Sequence, residues 1–325
     1  MMNMTNSIIE FRQYLKRRNY SKHTIRNYLH SIKQFVVWVD VPIEEMTPNK
    51  ISAYIDYLMK RRLSALTINS NLYRIKAFYN YLHYEKELPI LVPVKTNSRL
   101  RTPKPLPRFL RDEDVEKFLG VVKGARDYAM VMVMLRCGLR VEEVANLTRD
   151  AIDLKQKRIV VHNGKGMKDR VALISKDARR AILTYLQQRS SSRASKVFLV
   201  EKGTYKGKPI SVRGIQKRIE YYAKKAGVQV SCHRLRHTMA TQMLNADAKM
   251  VTIQDLLGHA RIATTERYSK VSNLTVQRDY HKTMNIITTG RSGDTTTDGY
   301  KKFFTKEKRE MVSRNTPGNV HEVPR

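Results

Sequence analysis

The sequence predicts a mainly α-helical protein with a small β-sheet, divided into two domains. Three observations carry this. Apolar residues recur at helical spacing through the first 88 residues and again from residue 115. Five prolines crowd into residues 89–108 and forbid a continuous helix there. Two short β-like runs, residues 158–162 and 171–174, flank an Asn163-Gly164 pair, a strong hairpin signal. With 325 residues the chain is long enough for two cores of ordinary size.

Residues 1–88 read as four helices. The first lies around residues 9–15. Ser21 is the N-cap candidate of the second, whose stripe is Ile25, Tyr28, Leu29, Ile32, Phe35 and Val36. Thr47-Pro48 is a cap followed by a first-turn proline, and Ile51, Tyr54, Ile55, Leu58 and Met59 follow it. Ile68, Leu72, Ile75, Tyr79 and Leu82 make the fourth stripe. Between the stripes lie Lys16, Arg17, Arg18, Lys22, Arg26, Lys60, Arg61, Arg62, Arg74 and Lys76. Any one of these runs is compatible with a solvated helix face. Their shared sign favours a surface that meets DNA. The segment 89–108, with Lys95, Arg99, Arg101, Lys104 and Arg108, reads as a basic, extended linker suited to lie along a phosphate backbone.

The second domain is expected over residues 109–287. Residues 115–119 and 128–135 read as apolar helices, Gly138 stops the latter, and residues 141–147 begin another. The two β-like runs are joined by Asn163-Gly164-Lys165-Gly166-Met167-Lys168-Asp169-Arg170, which places Lys165 at or near a hairpin tip. Helices resume from Lys176 and from Val212. Residues 288–325 are rich in Thr, Gly, Asp and Lys with little apolar pattern, and read as a disordered tail with no assigned role.

The 62 Lys and Arg against 29 Asp and Glu leave a formal charge of +33. An excess this large favours a polyanionic partner bound with steep salt dependence. A membrane surface would also attract it. However, no run of about 18 apolar residues exists, and the N-terminus lacks a signal-peptide core. Charge alone does not indicate catalysis, since architectural nucleic-acid binders are equally basic. Two cysteines, Cys137 and Cys232, exclude a disulfide framework and a four-thiolate zinc site. Reduced thiols in a cytoplasmic protein are expected.

Within residues 233–268, His233, His259, Arg236 and Tyr268 supply two imidazoles, a guanidinium and a phenol suited to phosphodiester chemistry. His233 and Arg236 are three apart and share a face if the segment is helical. Arginine holds two phosphate oxygens with a planar fork, and histidine moves a proton near neutral pH. A lone His-x-x-Arg is more often structural than functional. His237, next to Arg236, is expected to point elsewhere on the helix and to bond a backbone carbonyl. Cys232, His233 and His237 make a poor metal set, because Arg234 and Arg236 lie between them and no carboxylate accompanies them. Leu257-Gly258-His259 has the form of a helix C-terminus followed by a polar residue. Tyr268, after the N-cap candidate Thr264, is one of 17 tyrosines and by itself is indistinguishable from a core residue. Upstream, Arg140 follows the Gly138 turn as a possible second phosphate ligand, with Glu143 placed either to orient it or to form an ordinary helical ion pair. Gly164-Lys165-Gly166 lacks the remainder of a nucleotide-binding loop.

Taken in order, these fragments resemble the tyrosine recombinase family, the phage integrase and Xer-type site-specific recombinases, over nearly the whole chain to about residue 285. Pro105-Leu106-Pro107-Arg108-Phe109-Leu110 is similar to the interdomain junction. Ala125-Arg126-Asp127-Tyr128 and Cys137-Gly138-Leu139-Arg140-Val141-Glu142-Glu143-Val144 resemble the first arginine box, and Gly164-Lys165-Gly166-Met167-Lys168-Asp169-Arg170 the β-hairpin lysine motif. His233-Arg234-Leu235-Arg236-His237-Thr238-Met239-Ala240-Thr241, Leu256-Leu257-Gly258-His259 and Thr265-Glu266-Arg267-Tyr268 resemble the second and third boxes.

The resemblance implies an N-terminal helical core-binding (SAM-like) domain and a C-terminal mixed α/β catalytic domain. It implies Tyr268 as nucleophile, forming a 3′-phosphotyrosyl bond. Arg140 and Arg236 would clamp the non-bridging oxygens, Lys165 would protonate the leaving 5′-oxygen, and His233 would assist proton transfer. His259 would bond the phosphate and Glu143 would orient the arginine box. DNA would be contacted by Arg17, Arg18, Lys22, Arg26, Arg74, Lys76, Arg99, Arg101 and Lys104. No metal, ATP or other cofactor is implied. The implied partner is double-stranded DNA carrying paired inverted-repeat recombination sites of a mobile element. The implied assembly is a homo-tetramer on two sites that exchanges a C-terminal helix, for which residues 272–284 are the candidate. A type IB topoisomerase resembles the same chemistry, and a non-catalytic DNA-binding protein would share the charge. The Leu-Gly-His box and the helical N-terminal segment favour the recombinase.

Overall fold

A computed structural model of the chain describes residues 4–103, 108–162, 169–190, 193–258, 280–281, 283–285 and 287. The chain divides into two compact units, Met1–Pro105 and Leu106–Arg325.

The first unit contains α1 (Met4–Arg17), α2 (Lys22–Trp38), α3 (Pro48–Lys60) and α4 (Ala65–Asn80), the last running into one turn of π-helix at Tyr81–Glu85. Three of the starts are capped by side chains, at Ser21 and Thr47 as expected and also at Ser64. Ser21 Oγ accepts from the Thr24 N–H at 3.1 Å, Thr47 Oγ1 from Lys50 at 3.4 Å and Ser64 Oγ from Thr67 at 3.3 Å. The apolar stripes meet in a core built on Phe11, Ile32, Phe35, Ile51, Tyr54, Leu72 and Phe78. The proline-rich segment is extended as far as it is described, apart from one 3-10 turn at Thr96–Ser98. It is also pinned to this core. Ile90 and Val94 are buried in it, and the Asn69 side chain donates to the Leu100 carbonyl (2.8 Å) and accepts its N–H (2.9 Å).

The second unit holds seven helices among its described residues before position 259: α5 (Asp112–Val121), α6 (Ala125–Leu135), α7 (Val141–Asn146), α8 (Lys176–Gln188), α9 (Val212–Ala226), α10 (Cys232–Asn245) and α11 (Met250–Leu257). Its sheet is antiparallel in the order β1 (Ile152–Asp153), β2 (Arg158–Val161), β3 (Arg170–Leu173). α6 is apolar on every side because it is enclosed: each residue from 129 to 135 is at most 1 % exposed, with α8 and α10 packed against it. Its polar start is tied down by Asp127, which accepts from Arg126 Nε at 2.8 Å, Arg218 Nε at 2.7 Å and Tyr222 Oη at 3.0 Å. Among the described residues the β2–β3 ladder runs from Arg158↔Leu173 to Val161↔Arg170; the Asn163-Gly164 pair lies outside them. β1 was not anticipated; two residues are too few to show a period.

Candidate active site

α6 ends in a turn at Gly138, with φ +66°. A Cβ there would stand 2.7 Å from Met239 Sδ and 3.0 Å from Leu257 Cδ2. Glycine is therefore required both for the backbone and for the close approach of α10 and α11. The turn delivers Arg140 to the start of α7 as its N-cap residue. Glu143, three residues on, supplies the glutamate half of a capping box, accepting the Arg140 backbone N–H at 2.7 Å, and also accepts from Arg140 Nη1 at 2.7 Å.

α10, capped by Ser231, supplies Arg236. Its side chain is 4 % exposed, and its fork donates to the Gly138 and Leu257 carbonyls. Arg236 Nη1 lies 4.0 Å from Glu143 Oε2. Arg140 Nη2 donates to the carbonyls of Leu257 (3.3 Å) and Gly258 (3.2 Å). Gly258 ends α11 in the left-handed conformation, φ +59°, as the Leu-Gly-His pattern predicts. The last carbonyls of α11 thus point at the guanidinia, and the negative end of a helix dipole is a favourable place for cations.

A third guanidinium completes the cluster. Arg170, the first residue of β3, donates Nη2 to Glu143 Oε2 at 2.7 Å and Nη1 to the Leu256 carbonyl at 2.6 Å. Its side chain is only 8 % exposed. Arg170 stands inside the lysine motif, for which the family resemblance implies no role at this position. The signal available was strand alternation: Ala172 faces inward on β3, so residue 170 does too, and an arginine there requires a carboxylate.

Three guanidinia therefore face one carboxylate, Glu143, among the described residues. Burial by itself raises the Glu143 pKa. The Arg170 charge, the Arg140 N–H and the bonds from both guanidinia outweigh it, and the carboxyl is held below its ordinary value. With Glu143 ionised these four side chains sum to +2, and the carbonyls of Gly138, Leu256, Leu257 and Gly258 accept from the guanidinia.

Arg140, Glu143 and Arg236 are thus brought together. His233 stands one turn before Arg236 on α10 and is exposed. His237 does not point elsewhere: four residues on, it shares the His233 face, with ring centroids 4.0 Å apart and planes at 75°. Among the described residues no group of three His, Cys, Asp or Glu is placed to hold a metal ion. Lys165, His259, Thr264, Tyr268 and Lys104 lie outside the described residues, as do the tail 288–325 and most of the 272–284 segment.

In the first unit Arg17, Arg18, Lys22, Arg26, Arg99 and Arg101 are exposed. Arg18 also bonds Tyr14 Oη and lies 3.7 Å from Glu85. Arg74 is half-buried, its Nη1 donating to Ser31 Oγ at 3.0 Å. Lys76 and Arg99 line one small cleft between α4 and the extended segment. No helix of the described residues is long and apolar enough to cross a membrane.

Comparison with known proteins bears on what this cluster does. Residues 108–274 match the phage integrase family, and residues 8–87 match the phage integrase N-terminal SAM-like domain. The tyrosine recombinase XerA of Thermococcus kodakarensis is 33% identical over 274 residues, covering 83% of this chain and 93% of that protein. A crystal structure of XerA recombinase, 29% identical, covers 85% of this chain and 98% of its own with a TM-score of 0.50. The Tn1549 transposon integrase, solved in complex with circular intermediate DNA, shares the fold with a TM-score of 0.66 at 18% identity, covering 81% of this chain and 94% of its own.

Proposed function

The chain belongs to the phage integrase family and is a tyrosine-type site-specific DNA recombinase; we propose that it cuts and rejoins DNA through a 3′-phosphotyrosyl bond to Tyr268. The observation that supports this most is the arginine cluster: three guanidinia share one carboxylate among the described residues, and forks set by fixed carbonyls suit a site that binds a phosphodiester.

In this reading the Tyr268 hydroxyl oxygen attacks the scissile phosphorus and its proton leaves by way of His233. The bond to the 5′-oxygen breaks, and Lys165 protonates that oxygen. Arg140 and Arg236 hold the non-bridging oxygens as charge builds on them, His259 adds a bond, and Glu143 fixes the orientation of Arg140. Rejoining runs the same steps backward with the 5′-hydroxyl of another strand as nucleophile. One phosphodiester is exchanged for another through an ester of similar energy, so the chemistry calls for no nucleotide.

The substrate is proposed to be double-stranded DNA with paired inverted-repeat sites in a mobile element. It would be held by the basic residues of the first unit and acted on by a tetramer that exchanges its C-terminal helix. The test is to incubate the full chain with nicked duplexes of random sequence in the presence of chelator, trap the covalent complexes and sequence their junctions. Protein joined to 3′ ends at a recurring pair of inverted sequences is the expected result. Attachment at 5′ ends, or no covalent product, would overturn the proposal. Attachment scattered without a recurring site would instead remove the paired-site reading.

A further inference from the structure

We infer that Arg170 is a positioning residue for the reaction: it fixes the Glu143 carboxylate and the C-terminal turn of α11, the two supports on which Arg140 rests. The inference rests on the reading of Arg140 as a phosphate clamp.

Arg140 is held at four points, its N–H and Nη1 on Glu143 and its Nη2 on the carbonyls of Leu257 and Gly258. The single guanidinium of Arg170 touches both supports. It bonds Glu143 Oε2 at 2.7 Å and the Leu256 carbonyl at 2.6 Å, and it reaches the Gly138 carbonyl, in the turn that delivers Arg140, at 3.4 Å. The contact with α11 is close enough to dictate sequence: a Cβ on Gly258 would stand 2.5 Å from Arg170 Cδ.

The position is a poor one for an arginine that serves stability alone. Its Nε is buried with no hydrogen-bond partner among the described residues, and a buried donor left unmade is a cost. An apolar side chain of similar volume commonly stabilises as well as a buried ion pair does. What a guanidinium adds is geometry. Its rigid plane sets two acceptors on different segments in fixed relation, which a lysine cannot do. Supports of this kind act on rate more than on affinity, because a clamp displaced by an ångström still attracts phosphate but no longer fits the transition state.

The experiment uses full-length Arg170→Met, Arg170→Lys, Glu143→Gln and the Arg170→Met/Glu143→Gln double variant. The probe is the nicked duplex that the unaltered chain cleaves, recovered by sequencing its covalent junctions. It is made with either a phosphate or a methylphosphonate at the scissile position, the latter lacking the charge the arginines would hold. Adduct formation is timed at saturating protein, and DNA affinity and thermal unfolding are measured alongside. Arg170→Met is expected to form adduct about 100-fold slower on phosphate with affinity within about threefold, and Arg170→Lys to recover about tenfold of that loss. The deficit should shrink on the methylphosphonate. On the Glu143→Gln background, Arg170→Met should cost less than about threefold more, since both act through one carboxylate.

A folded Arg170→Met that cleaves at the unaltered rate overturns the inference. So does a deficit of the same size on both substrates and both backgrounds, which is what general destabilisation gives. Should Arg170→Met fail to fold, Arg170→Lys decides: full activity overturns the inference and a tenfold loss upholds it. An unaltered chain that forms no adduct, or a Tyr268→Phe variant that still does, is a failure of the phosphotyrosyl reading and is recognised before any Arg170 variant is tested.

Discussion

Glu143 grips Arg140 at two points, its Oε2 on the backbone N–H and its Oε1 on Nη1, each at 2.7 Å. One carboxylate thus caps a helix and aims a guanidinium. The same Oε2 also takes Arg170. Removing it leaves Arg170 and Arg236, both buried, and the partly exposed Arg140 facing one another.

Glu143→Gln is therefore expected to lower the unfolding free energy by about 3 kcal/mol at neutral pH, the usual scale for breaking a buried pair from one side. Denaturant unfolding of the two proteins checks this. A loss no larger than a surface substitution gives, about 0.5 kcal/mol, would mean that the charges are screened.

The depressed Glu143 carboxyl fixes the sign of a pH effect. A group whose folded pKa lies below its unfolded value, about 4.3 for glutamate, contributes stability that is fully present above that value. The contribution is lost as pH falls through the folded pKa. Between neutral pH and about pH 5 the gap in melting temperature between the unaltered chain and Glu143→Gln should stay constant. Below about pH 4 it should narrow. A gap that widens on acidification would contradict the assignment.

Gly258 and Gly227 make a controlled pair. Both are left-handed helix ends, φ +59° and +66°. A Cβ at Gly227 meets nothing within 4 Å, whereas one at Gly258 meets Arg170 Cδ at 2.5 Å. Gly227→Ala should cost about 1 kcal/mol for the backbone alone. Gly258→Ala should cost more, about 2 kcal/mol or above, and should also slow adduct formation. Equal costs would show that Arg170 gives way without consequence.

Both thiols are shielded. Burial pushes Cys137 up to about 12 and Cys232 up to about 11. Native protein at pH 8 should react with a thiol reagent orders of magnitude more slowly than free cysteine, and unfolding should release both thiols. Fast labelling of either one in the native state would contradict its burial.

Much of this architecture was legible because its causes are local. Ser21 and Thr47 cap helices through their own side chains, and Gly258 stops α11 through its own φ angle. The pairing of Arg140 with Glu143 was legible for the same reason, three residues apart at a helix start. The features that local sequence does not reveal are long-range or fine-grained. Arg170 owes its place to residues 27 and 86 positions away. Ile90 and Val94 bury themselves between prolines that hid their apolar character. His237 was misplaced by attending to its neighbour in sequence instead of the residue one turn back.

The measurement that bears most directly on the account is the chemical identity of the protein–DNA link. The trapped complex would be digested with protease and nuclease, and the nucleotide-bearing peptide identified by mass spectrometry. The account predicts a phosphodiester from the Tyr268 oxygen to a 3′ nucleotide, with a free 5′-hydroxyl on the other DNA end and no adduct from Tyr268→Phe. A nucleotide on any other side chain, or an adduct surviving in Tyr268→Phe, would contradict it.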